Sequence, residues 1–330
     1  MSGETERLTA QALWYAAPRR AELRSAPLPV PGKEEALVHT LWSGISRGTE
    51  RLVFEGRVPA SEAATMRAPL QGGDFPFPVK YGYCAVGRVE RGPDDLKNCD
   101  VFSLHPHQDR FIAPLSMLVP IPQSVPARRA ILAANMETAL NGIWDSGAKE
   151  QSSLVVVGAG IVGLMIAYLG AHLLKSNVTV VDVVSERKPI AESFGASFAT
   201  PDTSPKDADV VFHTSATAAG LATAISAAAF EAKIIEMSWY GDGTVAVPLG
   251  GAFHSRRLQL ISSQVGHVAP SHRGQWSHRQ RLAKALELLA DARLDALITD
   301  EIAFTEMPQE LSRVLAPGAP GLATAVRYPA

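Results

Sequence analysis

Residues 152 to 188, "SSLVVVGAGIVGLMIAYLGAHLLKSNVTVVDVVSERK", leave few ways to fold. An apolar run over 153 to 158 breaks into the glycines Gly158, Gly160 and Gly163, and a second apolar run ends on Asp182, 24 positions after Gly158 (182 − 158 = 24). Such runs suit strands buried on both faces of a parallel sheet. The first glycine permits a tight turn, the second lets the backbone approach a pyrophosphate, and the third lets the following helix pack on its strand. The Ile161 and Val162 amides then face the phosphates from the helix start. The expected ligand is a dinucleotide. The Asp182 carboxylate suits the ribose hydroxyls and repels a 2′-phosphate, which favours NAD. Arg187 leaves NADP open, since it either lies over the adenine or reaches a phosphate, or is a solvated helix arginine.

The surrounding chain extends this pattern. Residues 1 to about 125 are rich in proline and glycine, with short alternating runs such as "EALVHTLWSG" and "DRFIAP", and read as β-strands joined by turns. From about 127, strand-like and helix-like runs alternate, as in a parallel sheet covered by helices. Strands are predicted at "NVTVVD", "ASFAT", "DVVFHT", "AKIIEMS" and "LQLISS". Thr214 and Ser215, and then Ser238, Trp239 and Tyr240, follow such runs at the sheet's C-terminal edge, where ligands bind in folds of this kind. After residue 276, Leu282, Ala285, Leu286 and Leu289 share one helical face. No internal repeat is present.

Charge and cysteine usage narrow the class. With 31 basic against 33 acidic residues, no global field favours nucleic acid or an anionic membrane. Cys84 and Cys99 lack a CxxC spacing and support neither a disulfide framework nor a four-thiolate zinc site. The N-terminal stretch has no basic region followed by an apolar core, and "IVGLMIAYLGAHLL" is too short to span a bilayer. The expectation is a soluble cytoplasmic protein with no membrane partner.

With "WSGISRGTE", "KYGYCAVGRVERG", "VVVGAGIVG" and "LDALIT", the chain resembles the medium-chain dehydrogenase/reductase superfamily over nearly its full length. "LWSGISRGTERLVFEGRVP" and "GYCAVGRV" look nearest its bacteriochlorophyllide dehydrogenase branch, whose relatives oxidise a hydroxyethyl side chain to acetyl. "GYCAVG" departs from that branch's usual acidic residue after the tyrosine. The resemblance implies an α/β fold: a GroES-like β-rich catalytic domain (1–126 and 267–330) and a Rossmann doubly wound parallel sheet (127–266). It also implies a homodimer, paired through the last Rossmann strand in "LQLISSQV".

Zinc-dependent members carry ligands at positions that here hold Ser46, the pair Tyr83 and Cys84, and Ala134 with Asn135. Those residues do not make a catalytic zinc set, so the expectation is zinc independence. The four-cysteine lobe is also missing. His105 and His107 share an H-P-H run with no third ligand nearby, and read as a polar wall or turn. Without a Lewis acid, side chains must polarise the substrate oxygen. The resemblance puts Ser46, Thr49, Glu50 and Tyr83 in the cleft between domains as candidates, and Thr138 beside the nicotinamide. Glu50 is either a proton acceptor or the partner of Arg47, and Thr49 either relays a proton or caps a helical turn.

Residues 56 to 80 are long enough to form a lid. Between Asp242 and Glu287 the charged residues are all cations, including Arg256, Arg257, Arg273, Arg279, Arg281 and Lys284. They form either an attractor for an anionic substrate or a solvated face, while Trp239 and Tyr240 offer a flat apolar wall. The expected activity is NAD(P)-linked interconversion of a secondary alcohol and a ketone. The alternatives are reduction of a quinone or enone, and a dinucleotide-binding protein without catalysis.

Overall fold

The computed structural model describes residues 8 to 329. Met1 to Arg7, which open the stretch read as lacking a secretory signal, lie outside the described residues. Contacts divide the chain into two units, Met1–Ala134 with Leu286–Ala330, and Asn135–Ala285; the sequence reading puts the changes at 127 and 267.

In chain order, the first unit contains β1 (Thr9–Ala17), β2 (Arg20–Pro27), β3 (Glu35–Ile45), α1 (Arg47–Phe54), β4 (Gly72–Gly73) and β5 (Val79–Lys80). It continues with β6 (Ala85–Arg91), β7 (Asp100–Ser103), β8 (Arg110–Pro114), β9 (Val119–Pro120) and α2 (Ala127–Ala130). The helix α3 (Ala133–Ser146) leads into the second unit, with β10 (Ser153–Val157), α4 (Ile161–His172), β11 (Asn177–Val181), α5 (Lys188–Ser193) and β12 (Ser197–Ala199). There follow β13 (Ala208–His213), α6 (Ala218–Ala227), β14 (Ala228–Glu236), β15 (Gln259–Ser262) and α7 (His278–Leu288). The chain returns to the first unit with β16 (Ile298–Ala303), α8 (Met307–Val314) and β17 (Ala323–Arg327).

The first unit holds two sheets. One runs β2-β1-β5-β4, and the other runs β16-β17-β3-β6-β7-β9 with β8 also on β3. Alternating residues of β3, β6, β7 and β8 build its core, among them Val38, Ala85, Val89, Val101 and Phe111, as the period of two requires. The segment 56 to 80, expected as a lid, is partly drawn into the first sheet: Val79 of β5 pairs with Tyr15 of β1, and Arg67 binds Asp74 and the Gln71 carbonyl.

The second unit is one parallel sheet, ordered β12-β11-β10-β13-β14-β15. The chain enters at β10, winds outward to β12, then returns to the other side of β10 for β13. The switch point therefore lies between β10 and β13. Leu154 to Val157 are all buried, which explains why β10 reads as an unbroken apolar run.

Register then positions the site. Val157 pairs with Val181 on one side and His213 on the other, and His213 pairs with Glu236. Gly158, Asp182, Thr214 and Met237 are consequently the next residues along a single sheet edge.

Two cations expected on a solvated face or an anion site are instead structural. Arg281 is 1% exposed and binds Glu137, Asn141 and the carbonyls of Val265 and His267. Arg256 binds the carbonyls of Ser226 and Ala228. On α7 and just past it, Leu282, Ala285, Leu286 and Leu289 are all buried.

Candidate functional site

The glycine turn has steric reasons for its composition. Gly158 has φ +111°, and a Cβ there would lie 2.7 Å from both the Ser215 amide nitrogen and Thr214 Oγ1. A Cβ on Gly163 would strike the Gly158 carbonyl oxygen. Gly160 differs: its Cβ would meet nothing within 4 Å, which leaves backbone open to a ligand. The first amide bond inside α4 joins Leu164 to the Gly160 carbonyl at 2.9 Å, so the Ile161 and Val162 amides precede the helical ladder.

Asp182 closes the turn from β11. Its Oδ2 accepts from the Ala159 amide at 2.5 Å and its Oδ1 from the Val184 amide at 2.8 Å. Arg187 donates to the Ala159 carbonyl at 2.8 Å and lies 3.7 Å from Asp182. Thr214 locks the turn from β13 by donating to the Gly158 carbonyl at 2.7 Å. Ser238 Oγ accepts from the Ala216 amide at 3.1 Å, which joins the ends of β13 and β14. Trp239 is half-buried in the turn after β14, and Thr138 is half-buried on α3. These residues fit a dinucleotide: an open backbone cradle, free helix-start amides and a fixed carboxylate lie on one edge.

Sequence reasoning missed what stands behind Ser215. His213 is completely buried, with Nδ1 2.7 Å from Glu236 and Nε2 2.8 Å from Ser215 Oγ. Burial pushes Glu236 up, but the bonds from His213 and Ser238 outweigh it and hold the carboxyl below its usual value. The strand ends "FHT" and "IEM" carried the signal, which becomes readable once β13 and β14 are known to be neighbours in register.

The first unit holds the other candidates. Ser46 precedes α1, and its Oγ accepts from the Tyr83 hydroxyl at 2.6 Å; Thr49, in the first turn of α1, also bonds Tyr83. Thr49 is therefore not the cap of α1, because that position is Ser46. Burial, then Cys84, push the Tyr83 phenol upward, against lowering by Ser46 and Thr49. Tyr83 is therefore held as a neutral phenol at neutral pH.

Glu50 is fully buried, and its carboxylate accepts from the Ser46 amide at 2.7 Å and the Tyr15 hydroxyl at 2.8 Å. His107 lies 3.0 Å away, and its other nitrogen is 2.7 Å from Ser43, which meets Tyr328 at 3.0 Å. Of the two readings of Glu50, the pairing with Arg47 gives way to this network, while Arg47 binds the carbonyls of Ala319 to Leu322. His107 was expected as a pocket wall or turn. Its sequence signal was weak, because it meets Glu50 only through strand pairing. His105 stacks on Phe111 at 3.9 Å, and burial pushes it down to about 3.

Catalytic zinc is poorly served here. Cys84 is a buried thiol, pushed well up by burial and then by the Glu50 charge. Ser46 is already engaged by Tyr83, and Asn135 is a neutral amide. Among the described residues, no three His, Cys, Asp or Glu side chains are grouped to hold a metal.

The topology is that of an α/β protein with a β-rich GroES-like part and a Rossmann part, the fold of solved zinc-binding dehydrogenase structures. No protein-family model matches the chain. It is similar to an uncharacterized zinc-type alcohol dehydrogenase-like protein of Haemophilus influenzae, 25% identical over 69% of this chain and 66% of the relative. It is also similar to the D-guloside 3-dehydrogenase of Escherichia coli K12, 24% identical over 57% of this chain and 58% of that one. The chain thus spans 58% to 66% of the length of these curated relatives. A solved zinc-binding dehydrogenase of Sinorhizobium meliloti, so described and bound to NADP, shares the fold with a TM-score of 0.77 at 18% identity, covering 97% of this chain and 100% of that one. Among the described residues no helix is long and apolar enough to cross a membrane.

Proposed function

We propose that this protein is an NAD(P)-linked oxidoreductase that interconverts a secondary alcohol and a ketone without catalytic zinc. The observation that carries the reading is the open backbone at Gly160 beside the fixed Asp182 carboxylate. Both relatives named above for sequence likeness are dehydrogenases or dehydrogenase-like, and the solved one binds NADP, which supports it. Gly158, Gly160, Gly163, Ile161 and Val162 cradle the pyrophosphate. Asp182 takes the ribose hydroxyls, while Arg187, Thr138, Thr214, Ser215, Ser238 and Trp239 complete the dinucleotide site. Asp182 favours NAD over NADP.

A nicotinamide, when bound, supplies or accepts hydride. The protein handles the proton. Tyr83, a neutral phenol, donates its proton to the substrate oxygen in reduction, and in the reverse direction the phenolate form takes up the alcohol proton. The phenol, which donates to Ser46 Oγ in the structure, turns its proton to the substrate, and the Ser46 and Thr49 hydroxyls then donate to the phenolate oxygen. Glu50 fixes Ser46 through its amide, which makes it a positioning group for the hydroxyl pair.

On "SGISRGTE" and "GYCAVGRV" we place the chain beside the bacteriochlorophyllide dehydrogenase branch, as a cytoplasmic homodimer paired through β15, an edge strand with Leu260 39% exposed. The test is deuteride transfer from 4-deuterated NADH to a panel of ketones, enones and quinones. We expect deuterium on a carbinol carbon. Deuterium on the carbon β to a carbonyl would favour the enone reading, and binding without transfer to any compound would leave a non-catalytic dinucleotide-binding protein.

A further inference from the structure

The ends of β13 and β14 build a hydrogen-bonded run from the interior of the second unit to its surface. Glu236 Oε2 lies 2.7 Å from His213 Nδ1, His213 Nε2 lies 2.8 Å from Ser215 Oγ, and Ser215 Oγ lies 3.1 Å from Thr217 Oγ1. His213 is fully buried, whereas Thr217 is exposed. The second Glu236 oxygen accepts from the Ser238 amide at 2.8 Å, so the carboxylate is fixed.

The surroundings of the imidazole are sparse in charge. Glu236 and Tyr240 touch it from β14 and the following turn, with the Tyr240 hydroxyl 3.2 Å from Glu236 and 3.5 Å from Nδ1. Burial and the Glu236 charge push Tyr240 up to about 12, so it is a neutral phenol. From β10 the register partner is Val157. From α6, a Cβ on Gly220 would strike Ser215 Oγ and come within 2.9 Å of Nε2, so backbone closes that side.

This arrangement has two internally consistent proton patterns. Glu236, held ionised, accepts from Nδ1–H in both. With a neutral ring, Nε2 accepts the Ser215 proton, Ser215 Oγ accepts the Thr217 proton, and the run points inward. With a positive ring, Nε2–H donates to Ser215, Ser215 donates to Thr217, and the Thr217 proton turns outward. Thr217 Oγ1 accepts from the Gly220 amide at 3.0 Å in either pattern, so the helix cap survives the reversal. The neighbouring carboxylate offsets the cost of a buried positive ring.

We propose that His213 is a positioning residue for the dinucleotide, coupling its binding to uptake of a proton: the charged ring turns the Ser215–Thr217 hydroxyls outward to donate to a phosphate or ribose oxygen. The inference rests on the reading that the edge beyond β10 and β13 binds a dinucleotide. It adds a proton, and residues that handle it, to that binding step. Affinity therefore tightens as pH falls.

Calorimetry of NADH binding to the full chain, in buffers of different ionisation enthalpy at several pH values, counts the protons taken up. The wild type takes up a measurable fraction of a proton and binds more tightly at lower pH, by at most about tenfold per pH unit. His213→Gln binds with no uptake and a flat pH profile. Ser215→Ala loses the uptake although the His213–Glu236 pair remains. Independently of any variant's folding, the wild-type His213 ring nitrogens move toward the charged form in the NMR spectrum when NADH is added. Equal uptake in wild type and His213→Gln, or ring signals that ignore NADH, overturns the inference while leaving the dinucleotide reading intact. A wild type that binds neither NADH nor NADPH overturns both.

Discussion

Burial holds the Tyr83 phenol protonated well beyond neutrality, and Ser46 and Thr49 keep its oxygen in place. If that proton serves the substrate, Tyr83→Phe lowers turnover by roughly 10²- to 10⁴-fold, the usual worth of a positioned acid, while NADH affinity stays as in the wild type. Stopped-flow turnover beside a fluorescence titration separates the two. Asp182 makes a different claim. Its carboxylate is already held by two backbone amides, so it meets ribose hydroxyls as a fixed acceptor. Asp182→Ser weakens NADH by about tenfold or more, the scale of a hydrogen bond to a charged group, and narrows the preference over NADPH because Arg187 remains. Equal affinity of wild type for both coenzymes would remove the argument. Glu50 shows where single residues mislead: an arginine three positions before it is the obvious partner in sequence, yet the carboxylate turns inward to Tyr15 and His107.

The turn between β10 and α4 makes the sharpest distinction among elements. Gly163 is required by the fold, since any side chain meets the Gly158 carbonyl, whereas Gly160 has φ −71° and open space around a Cβ. Gly160→Ala should therefore melt within a few degrees of wild type and bind NADH poorly; Gly163→Ala should lose stability as well as binding. Thermal melts with and without NADH check both. This turn was legible in the sequence because its constraints are local: strand, turn and helix follow one another, and Asp182 lies one strand further on. The His213–Glu236 pair and the Glu50–His107 pair were not, with separations of 23 and 57 residues. They exist only because β13 lies beside β14, and because the sheets of the first unit carry the chain back past α1. Arg281 was misjudged for the same reason. Nothing near it in sequence announces that Glu137 waits for it on α3.

Over the whole molecule, buried tyrosines set an upper pH limit. Burial, and for Tyr15 the Glu50 charge, hold Tyr15, Tyr81 and Tyr328 above the ordinary tyrosine value. Above about pH 10 the unfolded chain releases these protons and the folded chain keeps them, so stability falls with rising pH, at about 1.4 kcal/mol per unit for each such group. At the acid end His105, pushed down to about 3, stays neutral when folded. Stability is then lost progressively below about pH 6.5, as the unfolded chain alone takes up the proton. Urea midpoints across the pH range should fall on both sides, and a flat alkaline side would contradict the burial of those phenols. The β-strands of the first unit and the parallel sheet of the second were readable from patterning, because periods of two and unbroken apolar runs survive without knowledge of partners; the return at the C-terminus was implied only by the family resemblance.

The alignment of β10, β11, β13 and β14 bears on how such a chain can change over generations. Adding or removing residues in the turns before these strands costs little while the rungs stay matched. A single-rung slip of β13 would swing His213 to the opposite side of the ribbon and carry Thr214 away from the glycines. The ligand's address is thus written in the pairing of the ladder, and the linking turns are free to vary around it.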